Sequence, residues 1–441
     1  MREDWEEVEL IKVCFKAQKV KRKEMSPYGT LKYLDIGGID NASNTIVSHK
    51  DFTWENAPSR AQQIVKKGDV LFSTVRTYLK NIAQVKVNEY DNEICSSGFT
   101  VLRGNPAILN SSYLFYLSLS VRFLNPLSKL QTGTSYPAVR DKDVFAQNIP
   151  LAPLPEQRAI VAKIEELFSD LDKGIADLKK AQDQLKVYRQ AVLKKAFENL
   201  TNETTLEEIK KDSLIGLVRA SGLQNNIGEG TAYLKMDKID MIGNINIEGL
   251  VYVETNEDEI EKYSLKTGDI LLNTRNSYEL VGKTGVIRNI KETVVFNNNI
   301  MRIRVKNGFD SLFVCYQLIS PFVRKQMEEY KKATTSVCAL YQRNLFPLKL
   351  KTTSLEEQHQ IVQEIESRLS VCDKVEQSIT ESLIKAKSLR QSILKKAFEG
   401  TLLSVAEIAA CKAAPDYEPA SVLLARIERS RKEKIKAEKK R

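Results

Sequence analysis

Apolar residues recur at helical spacing in two long stretches of the chain. In the first stretch they alternate by four and three residues, the heptad seam of a coiled coil; its members are Ile160, Ile164, Leu167, Leu171, Gly174, Leu178, Ala181, Leu185, Tyr188 and Val192. The second seam is weaker; its members are Ile361, Ile365, Arg368, Cys372, Val375, Ile379, Ser382, Ala386, Leu389 and Ile393. We expect Leu369 and Leu383, one position after Arg368 and Ser382, to take over part of the contact. Because apolar seams are driven out of water, the simplest arrangement pairs the two helices with each other.

These two helices are predicted over residues 154–197 and 355–398. Ser354 precedes the second helix and fits a capping box. Asn199 and Gly400 follow the helices, and both residue types tolerate the left-handed conformation that ends a helix. About 40 residues at 1.5 Å per residue give a rod of about 60 Å.

The sequence repeats itself at a nearly constant offset of 200 or 201 residues. Four pairs of segments match in the same order: 33–40 with 233–240, 67–71 with 267–271, 156–161 with 357–362, and 193–198 with 394–399, where both copies read LKKAFE. The units of solenoid proteins are about 20 to 50 residues long, so this period is too long for a solenoid. The repeat predicts a duplicated domain.

Both halves of the repeat show the same order of elements. Short apolar strands at 70–72 and 270–272 each follow a Gly-Asp pair that is typical of a turn, and a long helix closes each half. The predicted fold class is α+β: two duplicated domains with pseudo-two-fold symmetry, separated by two long antiparallel coiled-coil helices. The predicted domains are 1–152, a first spacer helix 153–200, 201–352, a second spacer helix 353–400, and a basic C-terminal tail 401–441.

Charge changes this picture little. The formal net charge is +10, but residues 426–441 contain nine Lys or Arg and three Glu and so carry +6 of it. The remaining +4 is weak support for nucleic-acid binding. The same balance would suit a solvated tail on a nearly neutral protein.

Several classes of protein are disfavoured by what the sequence contains. No apolar run approaches the roughly 18 residues of a membrane span, and the start of the chain is charged, unlike a signal peptide. Six scattered cysteines and two histidines favour neither a zinc site nor a disulfide framework. We expect reduced, buried thiols in a cytoplasmic protein, without metal.

Enzyme motifs are incomplete. Gly282-Lys283-Thr284 resembles the end of a phosphate-binding loop, but Ser277 stands where that loop requires glycine. Residues 125–128 read NPLS and lack the second proline and the aromatic residue of the amino-methyltransferase motif. With only two histidines, histidine-dependent catalysis is poorly supported. We therefore predict no catalytic residues in this chain.

The repeated segments resemble the DNA-specificity subunits of type I restriction–modification enzymes. The resemblance covers essentially the whole chain and rests on KGDVL at 67–71 and TGDIL at 267–271, LPEQRAIV at 154–161, RQAVLKKAF at 189–197, RQSILKKAF at 390–398, and DYEPAS at 416–421 leading into LLARIE. It implies that each domain is a target recognition domain for one half of a split double-stranded DNA site. It also implies two modification subunits as partners, with two restriction subunits able to join them. S-adenosylmethionine, ATP and magnesium would be bound by those partners, and no cofactor by this chain.

Polar loops at matched places in the two halves are the candidates for DNA contact, because base reading needs Arg, Asn, Gln, Ser or Thr at the groove. In the first half they are Ser73, Thr74, Arg76, Tyr78, Thr134, Ser135, Tyr136 and Arg140. In the second half they are Asn273, Arg275, Asn276, Tyr278, Thr335, Ser336, Gln342 and Arg343. For any one of these residues an ordinary polar loop is an equally good interpretation.

Two alternatives remain open at this point. The chain could be a coiled-coil scaffold that binds protein partners without reading DNA; DNA mobility shifts would then show nothing. It could also be an enzyme in its own right, which methyl transfer by the isolated chain would establish. The DNA sequence that is read and the length of the gap cannot be deduced, because groove contacts depend on loop geometry.

Overall fold

The computed structural model describes residues 2–333 and 337–438 of the chain. The chain divides into two compact units: unit 1 comprises Met1–Asp177 with Ser382–Arg441, and unit 2 comprises Leu178–Glu381. Both divisions fall inside the predicted spacer helices rather than at their ends. Each unit therefore contains one recognition domain with half of each long helix.

The elements follow largely the same order in both halves. The strands of the first half are β1 Glu6–Glu9, β2 Cys14–Phe15, β3 Thr30–Leu34, β4 Ile39–Asp40, β5 Thr45–Ile46, β6 Lys50–Thr53, β7 Ala61–Ile64, β8 Val70–Ser73, β9 Ile82–Gln84, β10 Ile94–Ser96, β11 Phe99–Gly104 and β12 Asn148–Leu151. Its helices are α1 Leu10–Val13, α2 Ser111–Ser118, α3 Val121–Lys129, α4 Asp141–Phe145 and the long α5 Leu154–Glu198.

The second half repeats this plan. Its strands are β13 Glu203–Thr205, β14 Lys210–Ile215, β15 Gln224–Asn225, β16 Thr231–Leu234, β17 Val251–Val253, β18 Ile270–Asn273, β19 Arg275–Asn276, β20 Thr284–Val286, β21 Val294–Phe296, β22 Ile300–Val305, β23 Lys332–Ala333, β24 Cys338–Ala339 and β25 Lys349–Lys351. Its helices are α6 Leu206–Ile209, α7 Glu257–Tyr263, α8 Ser311–Leu318, α9 Pro321–Tyr330, α10 Gln342–Leu345 and the long α11 Leu355–Glu399, followed by α12 Val405–Lys412 and α13 Ala420–Glu438.

Each recognition domain is built on two sheets: the first has the same strand order in both units, and the second shares three strands, β6-β3-β10 with β17-β16-β21, but has its fourth strand on opposite edges. In unit 1 an antiparallel sheet runs β2-β11-β8-β9, and a second sheet runs β6-β3-β10-β7 with β10 parallel to β3. In unit 2 the orders are β14-β22-β18-β20 and β15-β17-β16-β21, with β16 parallel to β21. The predicted α+β class and the duplication are confirmed.

The strand after each Gly-Asp turn is buried on both faces. In unit 1, Val70 and Phe72 face the core shared with helices α2 and α3, whereas Leu71 faces the core beneath the second sheet. In unit 2 the faces are the same: Ile270 and Leu272 lie in the core shared with helices α8 and α9, and Leu271 lies in the core beneath the second sheet. This explains why both strands are continuous apolar runs rather than alternating ones.

The repeated Glu-Gln pair at each helix start has a structural explanation in its glutamine. Gln157 is fully buried. Its Nε2 donates to the carbonyl oxygens of Ile108 (2.8 Å) and Ala152 (2.7 Å), and its Oε1 accepts from the N–H of Asn110 (2.8 Å). One side chain thus satisfies three backbone groups and joins helix α5 to the domain before it.

Gln358 makes the same three bonds in unit 2. Its Nε2 donates to the carbonyl oxygens of Gly308 (3.1 Å) and Thr353 (2.9 Å), and its Oε1 accepts from the N–H of Asp310 (2.9 Å). The preceding glutamates differ between the halves. Glu156 is buried and paired with Arg2, with 2.9 Å between its Oε2 and Nη1.

The long helices begin and end close to their predicted limits, and they terminate differently. Gly400 adopts a left-handed conformation (φ +80°), as its residue type allows, whereas Asn199 does not. At the start of α11, the Ser354 hydroxyl oxygen accepts the N–H of Glu357 at 3.3 Å. At 1.5 Å per residue, each 45-residue helix is about 68 Å long.

In α5 the predicted seam is buried near the two ends and half-buried or exposed between them, whereas in α11 every second seam position, from Ile365 to Ile393, is buried along the whole helix. Buried in unit 1 are Ile160, Ile164 and Ile393, and buried in unit 2 are Ile365, Leu369 and Ile379. Half-buried seam positions are Leu167, Leu171, Leu178, Leu185 and Ile361. Leu369 takes the place of the exposed Arg368, as expected. Leu389 differs from expectation and is 49% exposed, like the seam position Val375 (41%). The neighbouring Arg390 lies over the ring of Phe168.

Ion pairs between the helices accompany these apolar contacts. In unit 1, Arg390 of α11 pairs with Asp172 of α5. In unit 2, Arg189 of α5 pairs with Asp373 of α11 (2.7 Å) and with Glu376 (2.9 Å). Arg189 and Arg390, like Asp172 and Asp373, stand 201 residues apart. Within each unit the start of one helix therefore packs beside the end of the other, as antiparallel packing requires.

The segment predicted as a basic tail contributes to the core of unit 1. Leu403, Ala420 and Leu423 are buried there. The Tyr417 hydroxyl donates to the carboxylate of Asp4 at 2.9 Å. All six cysteines are free and buried, as predicted. Every helix in the described part of the chain is too short or too polar to span a bilayer.

Candidate nucleic-acid interface

Each candidate loop is carried by a strand that a buried ion pair anchors. In unit 1, Gly68 adopts φ +94°, which favours glycine, and Asp69 follows it with almost no exposure. Asp69 accepts the N–H of Lys66 (2.8 Å) and binds Arg103 through two parallel bonds of 2.8 and 2.7 Å. These bonds raise the pKa of the Arg103 guanidinium above its ordinary value.

Unit 2 repeats this anchor. Gly268 adopts φ +89°, and Asp269 accepts the N–H of Lys266 at 2.8 Å. Asp269 also binds Arg304 at 2.6 and 3.1 Å. The repeated Gly-Asp motif is therefore structural: it fixes the strand at one end while the candidate loop leaves from the other.

The first residues of the loop in unit 1 point inward. Ser73 and Thr74 are buried. The Ser73 hydroxyl donates to the carbonyl oxygen of Val75 at 3.0 Å, and the Thr74 hydroxyl donates to that of Gly98 at 3.0 Å. Both hydroxyls are hydrogen-bonded to backbone carbonyl oxygens. They therefore stabilise the loop conformation and do not present a polar group at the loop surface.

Arg76 joins the two candidate stretches of unit 1 into one surface. Its backbone is left-handed (φ +50°), which is strained for a residue with a side chain, and its N–H donates to the carbonyl oxygen of Pro137 at 2.7 Å. Its Nη2 donates to the carbonyl oxygen of Ser135 at 3.0 Å, and its guanidinium carbon lies 4.5 Å from the centre of the Tyr136 ring. The Arg76 Nε is buried without a hydrogen-bond partner in the described residues.

The exposed members of this surface are aromatic, basic and small polar residues. Tyr136 is 69% exposed and Tyr78 is 58% exposed, while Thr134 and Ser135 are exposed beside them. Arg140 is also exposed, but Asp143 holds its guanidinium with bonds of 2.9 and 3.1 Å. Direct contact of Arg140 with DNA would have to compete with that pair.

Unit 2 brings together the matching stretches with the same backbone bond. The N–H of Leu340 donates to the carbonyl oxygen of Thr274 at 2.9 Å, just as the N–H of Val139 donates to Thr74 at 3.0 Å in unit 1. Arg275 pairs with Ala339 across strands β19 and β24. The duplicated sequence therefore places two loops side by side in each unit.

Asn273 is the buried anchor of the loop in unit 2. Its Nδ2 donates to the carbonyl oxygens of Arg275 (3.0 Å) and Asn299 (2.9 Å), and its Oδ1 accepts from the Nδ2 of Asn276 at 2.9 Å. The Asn276 amide is thereby engaged, whereas the side chain of Arg275 is exposed. As in unit 1, the inward residues hold the backbone and the outward ones remain available.

An open groove of about 750 Å³ adjoins this surface. Its walls are formed by Ile215, Gly216, Val218, Thr274, Arg275, Asn298, Ala339, Leu340, Tyr341, Gln342 and Arg343. Arg343 lies over the ring of Tyr341 at 5.6 Å, a pairing similar to that of Arg76 with Tyr136. Gln342 is exposed at the same edge. The candidates Thr335 and Ser336 lie outside the described residues.

Sequence reasoning missed Lys331 and Tyr341 as members of this surface. Lys331 donates to the carbonyl oxygen of Tyr278 at 2.9 Å, and its ammonium lies 4.6 Å from the centre of that ring. Tyr278 itself is about half exposed. For Tyr341 the available signal was its place two residues before Arg343. Lys331 and Tyr278 stand 53 residues apart, so their pairing left no local signal in the sequence.

Metal chemistry has no support in the described part of the chain, where His, Cys, Asp and Glu form no group that could hold an ion. The surfaces offer instead guanidinium groups, amides, hydroxyls and aromatic faces on fixed loops. These groups suit recognition of base edges and phosphates rather than bond cleavage.

The chain matches one protein family along both halves. The family described as "Type I restriction modification DNA specificity domain" matches residues 2–181 and 218–384. The specificity subunit of the type I restriction enzyme EcoKI of Escherichia coli (strain K12) is 24% identical over 399 residues, which are 87% of this chain and 85% of that protein. The StySPI specificity subunit of Salmonella potsdam is 27% identical over 309 residues, which are 67% and 66% of the two chains.

Two solved structures share the fold over nearly all of their length. A chain from a study of complex assembly and conformational transition of the type I R-M system is 29% identical, with a TM-score of 0.76 and coverage of 91% of this chain and 99% of that one. The crystal structure of the HsdS subunit from Thermoanaerobacter tengcongensis is 28% identical, with a TM-score of 0.57 and coverage of 91% and 98%.

Proposed function

This chain belongs to the family of type I restriction–modification DNA specificity subunits, and we propose from that premise that each of its two loop surfaces reads one half of a bipartite double-stranded DNA target. As a specificity subunit it recognises the DNA target and organises the complex; it is the non-catalytic subunit of a type I restriction enzyme and belongs to a family without a cofactor. We further propose that two modification subunits, and in the nuclease two restriction subunits, join it in the cytoplasm. S-adenosylmethionine, ATP and magnesium would be held by those partners.

The observation that carries the two-reader proposal is the correspondence of the two surfaces. In each, a threonine carbonyl at the end of the anchored strand accepts a backbone N–H from the second loop. In each, an arginine lies over an exposed tyrosine: Arg76 over Tyr136, and Arg343 over Tyr341. Two similar surfaces with different side chains suit two different half-sites.

The residues divide by role within this proposal. Three side chains donate hydrogen bonds to backbone carbonyl oxygens and would position the loops: Ser73, Thr74 and Asn273. Arg76 and Arg275 stand where an arginine can reach a base edge, and a bidentate arginine most often reads guanine in the major groove. The exposed tyrosines would hold the arginines in place and exclude water.

The test is methylation-sensitive sequencing of DNA from cells that carry this chain with its modification partners. We expect a motif of two short specified sequences separated by unspecified bases. A chain in which residues 201–352 are replaced by those of another specificity subunit should keep the first half-site and change the second. A single contiguous motif, or a change in both half-sites after that exchange, would contradict the proposal.

A further inference from the structure

A large cleft in unit 1 is lined by cations that the reading surface does not use. It has a volume of about 670 Å³ and lies between the recognition domain and the two helix segments of that unit. Lys80 and Lys86 enter it from the domain, Lys173 from α5 and Arg390 from α11, over an aromatic wall that includes Phe115.

Two of these cations lack a counterion. Among the described residues, neither Lys80 nor Lys86 has an acidic side chain within ion-pair distance, whereas Arg390 is paired with Asp172. Burial lowers the pKa of the Lys80 ammonium. The Lys86 Nζ faces the ring of Phe115 at 5.8 Å, which is a weak contact. Lys80 is half-buried and Lys86 is exposed beside it. A half-buried ammonium without an anion is unfavourable, so Lys80, with Lys86 next to it, can take an anion from outside the chain.

The corresponding place in unit 2 is already neutralised. The backbone N–H of Val85 donates to the carbonyl oxygen of Asp69, and that of Ile287 donates to the carbonyl oxygen of Asp269. The residues that follow, Lys86 and Arg288, therefore occupy matched positions. Arg288 is paired with Glu366.

The Nη2 of Arg288 also donates to the Tyr316 hydroxyl at 3.0 Å. In unit 1 the matched Glu165 also lines the cleft, but it accepts only a long bond from the Tyr116 hydroxyl (3.4 Å), and no described cation lies within ion-pair distance of it. The unpaired lysines are therefore a feature of unit 1 in the described chain, although both units share one fold.

The position of Lys80 identifies the anion. Lys80 follows the candidate loop directly, with a left-handed backbone (φ +54°) whose carbonyl oxygen accepts from the Asn44 amide at 2.8 Å. A duplex whose base edges meet Arg76 and Tyr78 carries its phosphates past the next residues of the same loop. Lysine ammonium groups suit phosphates as point charges, and such contacts position a duplex without reading its sequence.

We propose that this cleft, through Lys80 and Lys86, binds the DNA phosphate backbone beside the half-site read by unit 1, and that unit 2 has no equivalent grip at Arg288. This proposal rests on the proposed DNA-reading function. The two halves of the target are then unequal, because the first is bound through lysine contacts with DNA phosphates as well as through base contacts.

The test compares Lys80→Gln/Lys86→Gln with the unchanged chain, each assembled with its modification subunits. Binding is measured over a series of salt concentrations on a duplex with the cognate motif and on one with a scrambled motif. Each phosphate contact contributes about 0.9 to the slope of log K against log salt, so the double variant should flatten the slope by about 1.8 on both duplexes. The preference for the cognate motif should stay unchanged.

Two variants serve as controls. Arg288→Gln, at the matched position of unit 2, should leave the slope as it is. Lys80→Arg/Lys86→Arg keeps the charge and should also keep the slope. If the double glutamine variant does not fold, as judged by its thermal unfolding, Lys80→Gln alone should flatten the slope by about 0.9.

An unchanged slope in the folded glutamine variant would overturn the proposal. So would a loss confined to the cognate duplex, which would make the lysines base readers. Loss of assembly with the modification subunits at an unchanged slope would also overturn it, and would assign the cleft to an acidic protein surface. If the unchanged complex prefers no motif at all, the proposed function itself has failed, whatever the lysine variants do.

Discussion

Replacement of Gln157 by leucine should destabilise unit 1 severely, although the two side chains are similar in size. Gln157 is fully buried and satisfies three backbone groups: the carbonyl oxygens of Ile108 and Ala152 and the N–H of Asn110. Each buried group left without a partner costs about 1–3 kcal/mol. Better burial of the leucine offsets part of the sum, so we expect a loss of about 3–6 kcal/mol.

The assay combines thermal unfolding with amide hydrogen exchange. Exchange at Asn110 should accelerate in Gln157→Leu, because its N–H loses the only bond recorded for it in the described chain. Gln157→Glu separates polarity from shape. Its carboxylate keeps an acceptor for Asn110 but faces two carbonyl oxygens, so this variant should gain stability relative to the unchanged chain when acid protonates it.

Gln358→Leu is the matched control. It removes the same three bonds in unit 2 and should accelerate exchange at Asp310 while Asn110 stays protected. The reasoning is refuted if Gln157→Leu unfolds within about 0.5 kcal/mol of the unchanged chain, the range of an ordinary surface substitution. It is also refuted if Gln157→Leu and Gln358→Leu loosen both amides equally.

The remaining predictions concern reading, packing and acid stability. Arg76→Ala with Tyr136→Ala should relax only the first half-site in a binding selection on randomised duplexes, by about 1–3 kcal/mol per base contact; equal changes in both half-sites would rule out independent readers. Arg275→Ala with Arg343→Ala should relax only the second. Ile164→Lys, at a buried seam position, should prevent assembly on size-exclusion chromatography, whereas Leu389→Lys, at an exposed one, should not; equal behaviour would remove the seam as the cause. Bonds from Lys412 and Tyr417 hold the pKa of Asp4 below its ordinary 3.8, so its contribution to stability is present above that pH and is lost as pH falls towards the lower folded value. Asp4→Asn should therefore flatten the loss of thermal stability between neutral and acid pH, and an unchanged acid profile would contradict this.

The long helices and the duplication could be predicted because both are local or periodic signals. The helix limits depend on 3.6-residue spacing and on end residues that lie within the segment itself. The failure at Leu389 is instructive. Heptad spacing marks which residues share a helix face, but the packing of Arg390 on Phe168 and its pairing with Asp172 depend on a residue 218 positions away.

The loop candidates show the same limit. Ser73, Thr74 and Asn273 follow apolar strands and carry groups that can bind bases, so the sequence makes them candidates. Their partners are the carbonyl oxygens of Gly98 and Asn299 and of neighbouring loop residues, which become close only in the folded sheet. The residue type alone does not show whether a hydroxyl or amide is hydrogen-bonded to the backbone or is exposed to a ligand.

Unit 1 is assembled from two segments that the whole of unit 2 separates in the sequence. Its core includes Ile393 and Phe398 of α11 and Leu423 beyond it, while unit 2 is one continuous stretch, Leu178–Glu381. On the ribosome, where the N-terminal part emerges first, the first recognition domain must wait for its missing core residues until the second has been made. A premature stop in α11 beyond Glu381 would therefore damage the reader that was translated first, and the later one would survive it.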